Sequence, residues 1–85
     1  MKSIWKYELS GPITELYMPT GAKVLTVQVQ GGVPMLWAEV ETTNNLLPRA
    51  FEKRGTGSLL PNDSGHFIAT YQDELLVWHV YERDN

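Results

Sequence analysis

Gly55-Thr56-Gly57-Ser58 is the stretch of this chain best suited to chemistry. Glycines beside Thr and Ser hydroxyls can turn successive backbone N–H groups toward one point, forming a nest that holds a phosphate. Arg49, Lys53 and Arg54 lie just upstream, three of the chain's seven Lys and Arg residues. Such cations would add charge-assisted hydrogen bonds to a bound anion. Residues 49–58 are therefore a candidate site for a nucleotide or another small phosphorylated ligand. The stretch departs from the known phosphate motifs. A dinucleotide fingerprint needs a third glycine where Leu60 stands and must open a helix, and no P-loop lysine follows. The competing reading is a bulged strand end with a solvated basic rim.

The remaining polar groups make weaker cases. Asp63, Ser64 and His66 fall in one turn, whereas a working triad needs its members to converge from separate elements beside an oxyanion hole. Asp63 and Ser64 read instead as residues that turn the chain. His66 and His79 would lie on paired strands if the chain turns at Asp73-Glu74. Counted outward from that turn, His79 falls near position 68, and two imidazoles without a third ligand make no zinc site. No catalytic residue, metal or cofactor is expected, and the chain is expected not to be an enzyme. Trp37 is different: it alternates onto the strand face that carries Glu39 and Glu41. An indole on a polar face suits a protein-binding anchor, so Trp37 and Glu39 are candidate partner contacts. The alternative is a second layer that covers this face.

Composition narrows the setting. The chain has 85 residues, which predicts one domain over 1–85, burying roughly 60–65% of its unfolded surface. Hydrophobic residues at 42% against 20% charged argue for a folded chain. A net charge of −3 disfavours a sequence-independent grip on nucleic acid. Without cysteine there is no disulfide framework and no thiolate zinc site. No apolar run is long enough to span a bilayer, and Met1-Lys2-Ser3 leads straight into a strand-like segment without a signal-peptide core. A cytoplasmic protein without membrane contact is expected.

The elements that must position these residues are strands. Residues 22–41 read as a hairpin turning at Gly31-Gly32, with Leu25, Val27 and Val29 on one face of the first arm and Leu36, Ala38 and Val40 on one face of the second. Pro34 lacks an N–H, which sets that end of the second arm at the turn or on an edge. Earlier, Trp5, Tyr7 and Leu9 alternate with Lys6 and Glu8, and a short strand spans 13–18. Later, Leu46-Leu47-Pro48 reads as a helical turn or an apolar clip, residues 50–54 as a strand, and Leu59-Leu60 as an inward pair. Phe67, Ala69 and Tyr71 share a strand face, and residues 75–81 are apolar on both faces, as in a central strand. The whole predicts an all-β fold of about six to seven short strands, a small antiparallel sandwich or an open barrel. Unprotected edges would allow pairing into a homodimer.

The ordered set Ile4-Trp5-Lys6-Tyr7, then Met18-Pro19 with Gly21-Ala22-Lys23-Val24-Leu25, Val27-Gln28 and Gln30, then Pro34 with Leu36-Trp37-Ala38 and Val40, then Gly55-Thr56-Gly57 resembles a family of short proteins of unknown function. Such proteins occur in bacteriophages and bacterial genomes, and the likeness covers nearly the whole chain. The family carries no established activity, so the resemblance transfers no catalytic residue. It implies a phage or prophage accessory gene, and host cytoplasm as the place of action. The expected function is then a non-enzymatic binding protein that blocks a bacterial host factor, such as a defence-system component. The alternative is the small-ligand binder built on residues 49–58.

Overall fold

The computed structural model describes residues 1–62 and 65–84, so Asp63 and Ser64, and with them the nucleophile reading of that turn, lie outside the described residues. Seven strands follow in order: β1 (Lys2–Glu8), β2 (Ile13–Pro19), β3 (Lys23–Gln30), β4 (Val33–Glu41), β5 (Leu46–Gly55), β6 (His66–Asp73) and β7 (Leu76–Glu82). All pairings are antiparallel. They form one sheet in the order β1-β4-β3 and another in the order β2-β5-β7-β6. The smallest dimension, 17 Å, accommodates two sheets about 10 Å apart and no third layer. The fold is an open sandwich rather than a barrel, because the β3 and β6 edges lie beside each other without pairing.

Among the described residues, the β3–β4 hairpin supplies four of the ten buried core residues, Val27, Leu36, Ala38 and Val40. Gly31 and Gly32 both take positive φ, 59° and 80°, as a two-residue type I′ turn requires. Val27 then faces Leu36 across the ladder, and both are buried, at 3% and 0% exposure. Ala38 and Val40 complete the inward face, meeting Met18, Phe51, Tyr71 and Val80 from the other sheet. Pro34 sits beside the turn, opposite Val29. Leu25 departs from the expected pattern. A bulge between Val24 and Thr26 shifts the register, so Val24 pairs with Ala38 while Leu25 stays 46% exposed. One extra residue reverses the alternation on one side of a bulge.

The second sheet repeats this. A shift between Phe67 and Ala69 leaves Ala69 and Tyr71 inward, while Phe67 stands outside against Tyr81, edge to face at 5.6 Å. Leu46-Leu47-Pro48 is neither a helical turn nor a clip; it opens β5, with Pro48 opposite Tyr17. Lys53 N–H donates to Pro12 C=O, so odd-numbered residues of β5 bond toward β2 and even ones toward β7. Pro48 therefore presents its missing N–H to the side where β7 has already ended, and no ladder bond is lost. β7 lies between β5 and β6, the central place its two apolar faces predict. The hairpin pivots at Glu74-Leu75 rather than Asp73-Glu74, with Asp73 paired to Leu76. Leu59 and Leu60 do not pack inward; Leu59 is 93% exposed.

Candidate functional site

Residues 54–58 lie where β5 runs out, next to the start of β7. Gly55 pairs with Trp78 and Arg54 with His79. The chain then turns: Ser58 N–H donates to Gly55 C=O at 3.1 Å, and Gly57 takes φ +92°, the left-handed third position of a type II turn. Thr56 N–H and Thr56 Oγ1 both donate to Val77 C=O at 3.3 Å. The amides of Thr56 and Ser58 are thus spent on backbone partners. A nest needs successive free N–H groups, so this turn does not offer the expected anion cradle.

Beneath the turn lies a recess of ≈ 250 Å³, lined by Arg54 through Ser58 with Leu60, His79 and Tyr81. Five of the seven residues proposed for a phosphate ligand therefore do gather. The other two do not, because strand alternation sends Arg49 and Lys53 through the opposite face of β5. Arg49 forks onto Glu82, with Nε to Oε2 at 2.7 Å and Nη2 to Oε1 at 2.8 Å, and its Nη1 donates to Ala22 C=O at 2.6 Å. The bonded Glu82 carboxylate holds the Arg49 guanidinium above its usual pKa, against the opposing effect of burial. Lys53 stands over the Trp78 ring, 4.9 Å from its centre. Arg54 alone reaches the recess, and its charge is already matched. Nη2 meets Glu52 Oε2 at 2.9 Å, and Arg83 approaches the other oxygen of Glu52 at 3.6 Å. Arg54 Nε is buried without a hydrogen-bond partner among the described residues.

His79 faces the recess with both ring nitrogens occupied. Nε2 lies 2.8 Å from Thr56 Oγ1 and Nδ1 2.9 Å from Thr70 Oγ1. One proton arrangement satisfies the set: Nε2–H donates to Thr56, which donates to Val77 C=O, while Thr70 donates to Nδ1. An imidazole used this way positions two strands and the turn, and it has no lone pair left for a base or a metal. His66 is remote from it, opposite Glu82, with Nε2 3.1 Å from Asp84 Oδ1. Among the described residues no three His, Cys, Asp or Glu side chains gather as a metal site would require.

Trp37 occupies the outer face of the three-stranded sheet, between Lys6 on β1 and Thr26 on β3. The other sheet packs on the opposite side, against Leu36, Ala38 and Val40. The half-buried indole therefore owes its shielding to flanking strands, not to a second layer. Glu39 lies on the same face, opposite Ile4 and Lys23, with Lys2 Nζ at 3.7 Å.

The most exposed apolar groups lie elsewhere. Leu75 is 95% exposed at the tip of the β6–β7 hairpin, with Leu76 at 60%, and Leu59 projects from the loop after the turn. A second recess, ≈ 370 Å³, is lined by Leu75, Leu76, Val77 and Trp78 and shares Gly55 and Thr56 with the first. The two recesses thus adjoin at one end of the molecule, and Leu60, Leu75 and Leu76 line them. Sequence reasoning missed it by assigning these leucines to the interior. Their positions gave a signal, since each pair abuts a turn, Pro61-Asn62 or Asp73-Glu74.

The whole chain, residues 1–85, matches a family described as a domain of unknown function (DUF7352), and it belongs to that family. No curated protein and no solved structure matches it. Among the described residues no helix is long and apolar enough to cross a membrane.

Proposed function

We propose that this member of the family works by binding another protein through its leucine-bearing end, as a phage or prophage accessory protein that occupies a bacterial host factor in the cytoplasm. The observation that carries this reading is the exposure of Leu59 and Leu75 above nine-tenths, with Leu75 and Leu76 lining one of two adjoining recesses and Leu60 the other. Apolar surface left in water is unfavourable, and a contiguous patch of it commonly marks a protein interface. The recesses would receive partner side chains, and the half-buried Trp78 gives one of them an aromatic wall. The phosphate-ligand alternative draws less support. Two of its three cations face the other way, its third is paired with Glu52, and two of the turn amides are engaged.

The test is capture from bacterial lysate on immobilised wild type and on a Leu75→Ser/Leu76→Ser variant, followed by binding to the purified captured protein. The wild type should retain one host protein in near-stoichiometric yield. The variant should bind that purified protein at least tenfold more weakly, while its circular dichroism is unchanged. Equal binding by both would refute the leucine-bearing end as the interface. A nucleotide panel in a thermal-shift assay should leave the wild type unmoved.

A further inference from the structure

We infer that β1 is a self-complementary edge through which two copies of this chain join into one continuous six-stranded sheet, β3-β4-β1-β1′-β4′-β3′. This interface lies away from the leucine-bearing end and does not depend on the function proposed for it. Four strands stand at sheet edges: β1 and β3 in one sheet, β2 and β6 in the other. Exposed edges pair with other chains unless something blunts them, such as a proline or a bulge. Three of the four carry such a device. β2 ends on Pro19, β3 has its bulge at Val24/Thr26 and β6 at Phe67/Ala69. β1 has neither, and the charges it does carry, Lys2, Lys6 and Glu8, are of both signs and so can be matched by a second copy; it is regular throughout, and only Tyr7 along it is even half-buried. Trp5 points inward, opposite Ala38, yet is 36% exposed on this edge strand.

The backbone fixes which groups are free. Leu9 N–H donates to Pro34 C=O at 2.9 Å, and Thr42 N–H to Met1 C=O at 3.0 Å. Odd-numbered residues of this strand thus bond to β4, and the N–H and C=O groups of Lys2, Ile4, Lys6 and Glu8 point to the open side. A twofold axis through Trp5 would pair all four with their counterparts: Lys2 with Glu8′, Ile4 with Lys6′, and the reverse. Each pair would exchange two backbone hydrogen bonds. The same register sets Lys2 against Glu8′ twice and brings Trp5 beside Trp5′ on the axis. The neighbouring registers that keep the bonding parity are worse. An axis at Ile4 sets Lys2 against Lys6′, an axis at Lys6 sets Lys6 against Lys6′, and each uses one fewer of the free residues. Charge and backbone parity therefore select the same register, and the partner is a second copy of this chain.

The experiment uses the full chain at about 0.1 mM in sedimentation, a concentration at which an interface of even modest affinity is occupied. The wild type should sediment as a dimer. Glu8→Lys should weaken the dimer at least tenfold by setting lysine against Lys2′, and Lys2→Glu/Glu8→Lys should restore it. Cross-linking then locates the axis in a chain that has no cysteine of its own. Across such a non-bonded pair the α-carbons lie about 4.5 Å apart, within disulfide range. Trp5→Cys should therefore form a disulfide dimer on mild oxidation. Ser3→Cys, whose copies would lie about 13 Å apart in this register, should not. A monomeric wild type would overturn the proposal. So would a dimer indifferent to Glu8→Lys, or one that cross-links as readily through Ser3→Cys. If Trp5→Cys fails to fold, the charge swap alone decides.

Discussion

Tyr7 and Tyr71 each bring a hydroxyl into the sandwich with no hydrogen-bond partner among the described residues. Burial holds both phenols above the usual tyrosine pKa. The nearby Arg49 charge partly offsets this at Tyr7, and Asp73 reinforces it at Tyr71. A raised folded-state value means that folding favours the neutral form. The associated stability is complete below the unfolded value of about 10 and is lost as pH rises through the folded-state value. Alkaline unfolding should therefore set in above about pH 10. Tyr71→Phe should flatten that limb and, at neutral pH, leave stability unchanged or raise it by up to about 1 kcal/mol, because a buried hydroxyl without a partner is costly. Urea titrations at several pH values check both points, and a clear loss at neutral pH would reveal a hidden partner. Glu74 is strained in another way, as a non-glycine residue at φ 55°. Glu74→Gly relieves about 1 kcal/mol of left-handed strain, and glycine's greater unfolded freedom returns part of it. A net gain of about 0.5 kcal/mol is expected, read as a small upward shift in thermal midpoint.

The hairpin of β3 and β4 is the element on which the packing depends. Val27→Ala or Leu36→Ala should each cost about 2–4 kcal/mol, since each leaves a cavity that neighbours cannot fill. The two residues face each other, so the double variant should lose less than the sum, measurable by denaturant melts. This hairpin was legible from its alternation and its Gly-Gly turn, as was the central place of β7. The bulges were not. Leu25-Thr26-Val27 continues an unbroken alternation, and so does Phe67-Ile68-Ala69; the extra residue is set by how each strand meets its partner. Leu46-Leu47-Pro48 was misread because proline usually stops a strand, and only the parity of β5 shows that its N–H is not needed. The candidate site was half legible. Gly55-Thr56-Gly57-Ser58 does turn the chain beside a recess, but the cations were grouped by nearness in sequence. The period of a strand already sends Arg49 and Lys53 to one face and Arg54 to the other.

At the scale of the whole molecule, the Arg49 side chain joins the two sheets by polar bonds. Arg49 grows from β5 in one sheet, holds Glu82 on β7 of the same sheet, and reaches Ala22 C=O just before β3 of the other. Its guanidinium also lies 5.7 Å from the Phe51 ring centre. Arg49→Ala should cost about 2 kcal/mol, less than a fully buried pair because both partners keep some contact with water. Glu82→Gln should cost less, since an amide can still accept from the guanidinium. Denaturant titration of the pair decides between them, and equal loss would mean that the Ala22 bond contributes little. The strand order has a consequence for synthesis. β1 finds its partner only in β4, from Val33 onward, and β2 only in β5, from Leu46. A ribosome adding about 5–20 residues per second therefore releases both early strands well before anything can pair with them. The three-stranded sheet is complete once Glu41 has emerged, but the other must wait for β7, one of its two internal strands and the final one made. A nascent chain halted before Leu76 would carry one finished sheet, with β5 and β6 still held apart by the missing strand between them.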